Sequence, residues 1–184
     1  MKKPSPRTRV AIGAVAVAAL GAGTFGAMSA SASSPAAAPA AVTADTGHRN
    51  LQQSTHLTVA AATKAAQATL DAAGKEKQRV TVAVVDRNGN TIVTLRGDGA
   101  GPQSYESAVK KAYTAVSWNA PTSELVKRLE QAPNLKDIPG TLFLGGGAPV
   151  QAKGAPVAGI GVAGAPSGDL DEKFARAGVA ALGR

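Results

Sequence analysis

Apolar runs broken by Gly, Pro and Asn-Gly punctuation divide the second two-thirds of the chain into short elements. Thr58 is a suitable N-cap for an Ala-rich helix to Ala73, stopped by Gly74. Val80 to Asp86 (VTVAVVD) reads as a strand, and Asn88-Gly89 turns it as a hairpin into Thr91 to Arg96. After the loop Gly97 to Gln103, Ser104 caps a helix reaching Trp118, and Pro121 and Thr122 open another through Gln131. Thr141 to Leu144 predicts a short apolar strand running into Gly145-Gly146-Gly147. Pro149 and Val150 start the next, Lys153-Gly154 turns it, and Val157 to Ala163 returns. Asp169 and Glu172 form a capping box for a final helix. The order αββααβββα predicts an α+β fold with an antiparallel sheet of about five strands.

The first 54 residues read differently. Lys2, Lys3, Arg7 and Arg9 precede the apolar run Val10 to Leu20, and Ala30-Ser31-Ala32 offers a cleavage site. Residues 1–32 are therefore expected to be a signal peptide, and the protein to be secreted. The other reading is an uncleaved anchor, but the Gly-interrupted run is short beside the ~20 residues of a span. Residues 33–54, rich in Ala, Pro, Ser and Thr, read as a tether, leaving 55–184 as the domain.

Removing the leader changes the charge. The 184-residue chain carries 20 Lys and Arg against 12 Asp and Glu; four of those basic residues lie in the leader, and no acidic ones. The mature chain is left at +4, with no basic stripe of the kind that tracks phosphates, so nucleic acid is not an expected partner. Cysteine is absent and both methionines, Met1 and Met28, leave with the leader. That excludes disulfides, thiolate metal sites and a cysteine nucleophile.

Histidine is as scarce. His48 lies in the tether and His56 at its junction with the first helix, so no imidazole serves a hydrolytic Ser-His-Asp site within the fold. Eight residues apart in flexible chain, the pair could still collect surface iron. Gly145-Gly146-Gly147 lacks the order and the following Lys-Ser/Thr of a nucleotide loop, and reads as a tight turn permitting close backbone approach. Asp169, Asp171 and Glu172 resemble a cation cluster but are explained by their position at a helix N-terminus. Asp86 and Asp98 read as turn caps or as site acids.

The helix from Ser104 to Trp118 carries the most information. Tyr105, Val109, Ala112, Tyr113 and Val116 fall on one stripe, which suits the core. Ser107, Lys111, Thr114 and Trp118 fall on the opposite side. A large aromatic beside a lysine there predicts either cover by the following helix or a subunit or ligand face.

Several blocks resemble one family. They are Ala83-Val84-Val85-Asp86 with Gly89, Arg96 and Asp98-Gly99-Ala100; Lys111-Ala112-Tyr113-Thr114-Ala115 with Pro121-Thr122; and Gly145-Gly146, Pro149, Gly154, Gly159-Ile160-Gly161-Val162-Ala163-Gly164, Asp169 and Ala177-Gly178. Their order and separations are similar to the GlcG/HbpS-like family over Leu57 to Arg184. The leader and tether are most similar to its secreted, haem-binding branch. The resemblance implies a profilin-like sandwich, a homo-oligomer up to an octamer, haem as cofactor, and an accessory role beside a membrane sensor histidine kinase. Related domains bind a corrinoid. An enzyme acting on a small organic acid, with Asp86, Asp98 or Lys111 as acid or base, is the alternative.

As a ligand face, the side of the helix opposite the core stripe would set Lys111 at a propionate, Trp118 at the porphyrin plane and Thr114 on the iron. The resemblance points to the Thr114 hydroxyl as the iron ligand, with Tyr113 and Arg96 as further haem-binding candidates. The usual strong axial ligands are missing from the domain, so oxygen donors, lysine amines or a tether histidine remain. Tyr113 is the chemical rival, because phenolate binds ferric iron well. About one hundred degrees of helical turn separates the two side chains, so only one can face the same haem.

Overall fold

The computed structural model describes residues 46–183. The expected signal peptide and the tether as far as residue 45 lie outside the described residues. Residues 46–58 form no strand or α-helix, only a 3-10 turn at His48–Asn50. The chain then runs α1 (Val59–Lys75), β1 (Thr81–Asp86), β2 (Thr91–Arg96), α2 (Gln103–Trp118), α3 (Thr122–Arg128), β3 (Gly147–Ala152), β4 (Ala155–Ala163) and α4 (Gly168–Leu182). The strands form one antiparallel sheet in the order β2-β1-β4-β3.

Central position explains the apolar run of β1. Val82 and Val84 join one core with Ile160, Val162, Phe174 and the alanines of α1; Ala83 and Val85 join another with Ala108, Ala112 and Val116 of α2. A strand covered on both faces has no polar side to alternate with. Helices α1 and α4 lie over one face and α2 over the other, giving the expected α+β sandwich. On the α2 side β4 supplies Gly159, Gly161 and Ala163, so the helix backbone rests almost directly on the sheet. A Cβ on Gly159 would overlap the Ala112 carbonyl, and one on Gly161 the Ala108 carbonyl.

The sheet has four strands, not five. Thr141 to Leu144 has no ladder partner; its Leu142 N–H bonds instead to the hydroxyl of Thr114 in α2. Helix α3 ends at Arg128, short of Gln131, and a 3-10 turn follows at Pro133–Asp137. Gly74 lies within α1, which ends at Lys75. Ser104 sits inside α2, buried, with its hydroxyl on Thr81 and the Gly101 carbonyl, while Pro102 precedes the helix. Ser167, not Asp169, caps α4 by accepting from Leu170 N–H at 3.2 Å.

Candidate functional site

The buried stripe on α2 is turned by about one position from the expected one. Ser104, Ala108, Lys111, Ala112, Thr114, Ala115 and Val116 are buried, while Tyr105 is 53% exposed. Small residues, not the largest apolar ones, face the sheet because only they fit against Gly159 and Gly161. Lys111 and Thr114, expected on an open side, are therefore enclosed.

Lys111 Nζ lies 2.8 Å from Asp171 Oδ2 and donates to the Val162 carbonyl at 3.0 Å. The Lys111 side chain is 2% exposed and that of Asp171 4%. Ala165 N–H donates to the other Asp171 oxygen at 3.0 Å. Burial pushes the Asp171 carboxyl above its ordinary range, against the opposing pull of Lys111 and the Ala165 N–H. Gly146 closes the third side. It has φ of +128°, and a Cβ there would lie 2.7 Å from Lys111 Nζ and 2.6 Å from the Val162 carbonyl. The Gly145 to Gly147 run thus serves the close approach expected of it. The Lys111 ammonium, however, is committed to Asp171 rather than open to a propionate.

Thr114 is fully buried. Its hydroxyl donates to the Lys110 carbonyl at 2.8 Å and accepts from Leu142 N–H at 2.8 Å. Tyr113 is half-buried, with its ring edge toward Gly89 of the hairpin turn and Gly140, both at positive φ. Trp118 meets Phe143 edge-on, with centroids 5.2 Å apart and planes at 71°. Phe143 of the 141–144 segment thus contributes cover expected from α3.

The remaining candidates lie apart. The exposed Arg96 donates to the Ala100 carbonyl and braces the loop after β2. Asp86 accepts from Asn88 N–H and Asn90 N–H, each at 2.8 Å, and is a turn cap. Those bonds hold its carboxyl below the ordinary range despite partial burial. Asp98 is exposed at a turn. His48 and His56 are exposed in the segment before α1, His56 bonded to Ser54 at 2.6 Å. Among the described residues no three His, Asp or Glu side chains converge as a metal site. The three acid–base candidates, one a turn cap, one exposed and one ion-paired, do not meet. A cleft of about 320 Å³ opens over Ser104, Ser107, Lys111, Ser167 and Asp171, and one of about 430 Å³ over Pro149, Gln151, Arg176 and Val179. Both fall at the small end of ligand sites.

Sequence reasoning missed the roles of Asp171 and Glu172. Glu172 is buried, and accepts from Ser123 N–H at 2.9 Å, Ser123 Oγ at 2.8 Å and Arg176 at 2.7 Å, tying α4 to α3. The signal was present: Asp171, Phe174, Ala175 and Gly178 share one helical face. Burial alone would raise the Glu172 carboxyl, but the bonds from Arg176 and Ser123 win and hold it below its ordinary 4.5. A lowered carboxyl stabilises the fold above that value, and the contribution is lost as pH falls through the native one. Urea midpoints between pH 7 and pH 3 should therefore fall less steeply for Glu172→Gln than for the parent. Parallel slopes would remove Glu172 from the acid limb.

Residues 57–180 match the family described as haem degrading protein HbpS-like. The chain belongs to the HbpS-like family. A crystal structure of a double mutant of Streptomyces reticuli HbpS is 75% identical, covering 82% of this chain and all of that one, with a TM-score of 0.75. A crystal structure of HbpS itself is 76% identical, covering 77% of this chain and all of that one, also at 0.75. A crystal structure of a PduOC–haem complex shares the fold at 27% identity and a TM-score of 0.63, covering 69% of this chain and 95% of that one. The HbpS-like match begins at Leu57, two residues after the expected domain boundary.

Proposed function

We propose that this HbpS-like protein binds haem, and that it acts as a secreted, homo-oligomeric accessory to a membrane sensor histidine kinase. The haem reading is carried by one observation: a likeness of 75–76% to HbpS over the whole of those chains. The PduOC–haem complex, with the same fold, supports it. Secretion is supported by the basic, apolar and Ala30-Ser31-Ala32 succession of residues 1–32. The kinase partnership and the octamer are supported by the family resemblance.

The composition of the domain leaves oxygen donors for a ferric haem. No Cys or Met follows residue 28, and both histidines precede α1. The oxygen donors of the resembling motif are Thr114 and Tyr113. The family resemblance favours Thr114, which is fully buried, so its approach to iron requires the 141–144 segment to open and Leu142 N–H to release its hydroxyl. A neutral hydroxyl binds weakly, so the haem would be high-spin and readily exchanged, which suits sensing or scavenging more than electron transfer.

Haemin titration of the mature protein should give a shifted Soret band saturating at a fixed stoichiometry. Thr114→Ala should lose affinity at least tenfold, Thr114→Ser should retain most of it, and Tyr113→Phe should be close to the parent. No spectral change at stoichiometric haemin would overturn the haem reading. Loss confined to Tyr113→Phe, or to a chain lacking His48 and His56, would move the ligand.

A further inference from the structure

We infer that the outer edge of β2 is an interface between two copies of this chain, paired antiparallel about a twofold axis at Thr94. This rests on the homo-oligomer reading and names a contact within it.

The sheet order leaves two edges, β2 and β3. They are protected unequally. The β3 edge carries Pro149, which lacks a donor, and starts at Gly147. The β2 sequence, TIVTLR, has neither residue and no charge before its final Arg96. Natural sheets blunt an open edge with Pro, Lys or inward charges, and an unprotected β-branched edge invites another strand.

The backbone fixes which groups that edge offers. Gly97 N–H donates to the Val80 carbonyl, so residue 97 faces β1. Alternation along the strand then turns Leu95 toward β1, and the N–H and C=O of Thr94 and Arg96 outward. Thr94 stands opposite Ala83 in the ladder. It carries the one buried side-chain polar atom, Oγ1, that has no hydrogen-bond partner among the described residues.

A second copy meets the backbone groups directly, and the hydroxyl once its side chain turns. With Thr94 opposite Thr94 of the second copy, each donates its N–H to the other's carbonyl. Val93 then stands opposite Leu95, and the two Thr94 side chains share a face, so that a χ1 rotation bringing each Oγ1 out to the edge lets them bond to each other. A one-residue shift would set apolar against polar faces, so the register is specified by parity. The pairing is self-complementary, as an isologous contact must be. No like charges oppose each other, and the Arg96 guanidinium is held back on the Ala100 carbonyl. So short a strand pair alone buries less than the roughly 1,200 Å² of a standard interface, so this is one contact of a larger assembly.

The absence of cysteine makes the test clean. Thr94→Cys introduces a single thiol, and paired residues with Cα atoms about 5.5 Å apart lie within disulfide range. Under mild oxidation Thr94→Cys should run as a covalent dimer on a non-reducing gel, while Gln151→Cys, exposed on β3, should stay largely monomeric. Light scattering of Thr94→Lys should show a smaller particle than the parent. If the parent is oligomeric but Thr94→Cys does not cross-link, or Thr94→Lys keeps the full mass, the interface is wrong and the oligomer reading survives. A parent that is monomeric at micromolar concentration overturns both.

Discussion

Lys111→Met should destabilise the protein by about 3–5 kcal/mol near neutral pH, the range for removing one partner of a buried ion pair. Methionine nearly preserves the volume, so little of the loss is cavity. The cost comes from Asp171, left 4% exposed with Ala165 N–H and no cation, and from the Val162 carbonyl, which loses its donor. The sign of the pH dependence follows. Burial already raises the Asp171 carboxyl, and removing Lys111 raises it further. A carboxyl whose native pKa is raised opposes folding as pH rises through that value, so the deficit should shrink in acid. Asp171→Leu in the Lys111→Met background should recover much of the loss, because two apolar side chains leave no buried charge. Chemical unfolding of the parent, the two single variants and the double variant decides it. A Lys111→Met midpoint within experimental error of the parent would show the pair to be dispensable, and no recovery in the double variant would show that the loss does not come from an unpaired Asp171.

That pair also marks the limit of what was legible in the chain. The β1–β2 hairpin followed from Val80 to Asp86 and Asn88-Gly89 because their information is local: a β-branched run and a turn that tolerates positive φ. Gly89 has φ of +89°, and Asp86 caps the turn as its chemistry suggests. The face of α2 did not follow, because it is decided by what lies opposite. The apolar stripe at 3.6 residues per turn sets Tyr105 and Val109 inward. The glycines of β4, far along the chain, admit only small side chains at closest approach. Lys111 falls on the side opposite that stripe, and nothing local shows that its counter-ion arrives from α4. The 141–144 segment has the composition of a strand, but both sheet edges lie elsewhere, and its backbone bonds to Thr114 instead. Long-range partners, rather than local propensity, set each of these outcomes.

Gly161→Ala should be the most damaging single-methyl change in the domain, costing about 3 kcal/mol or more, beyond the usual range of overpacking. The added Cβ would overlap the Ala108 carbonyl and sit 3.0 Å from Ala112 Cα, and both are backbone atoms of α2 that no rotamer change can move. Relief requires the helix to lift from the sheet. Lifting α2 stretches Lys111 from the Val162 carbonyl and Asp171, and Thr114 from Leu142, so those bonds add to the loss of stability. Gly74→Ala provides a control of opposite sign. It lies inside α1 with nothing within 4 Å of an added methyl, so alanine should stabilise by about 0.5–1 kcal/mol through helix propensity. Thermal unfolding of both variants beside the parent tests the comparison. A Gly161→Ala protein with parental stability would mean that α2 stands off the sheet, and that its small-residue face does not hold the site together.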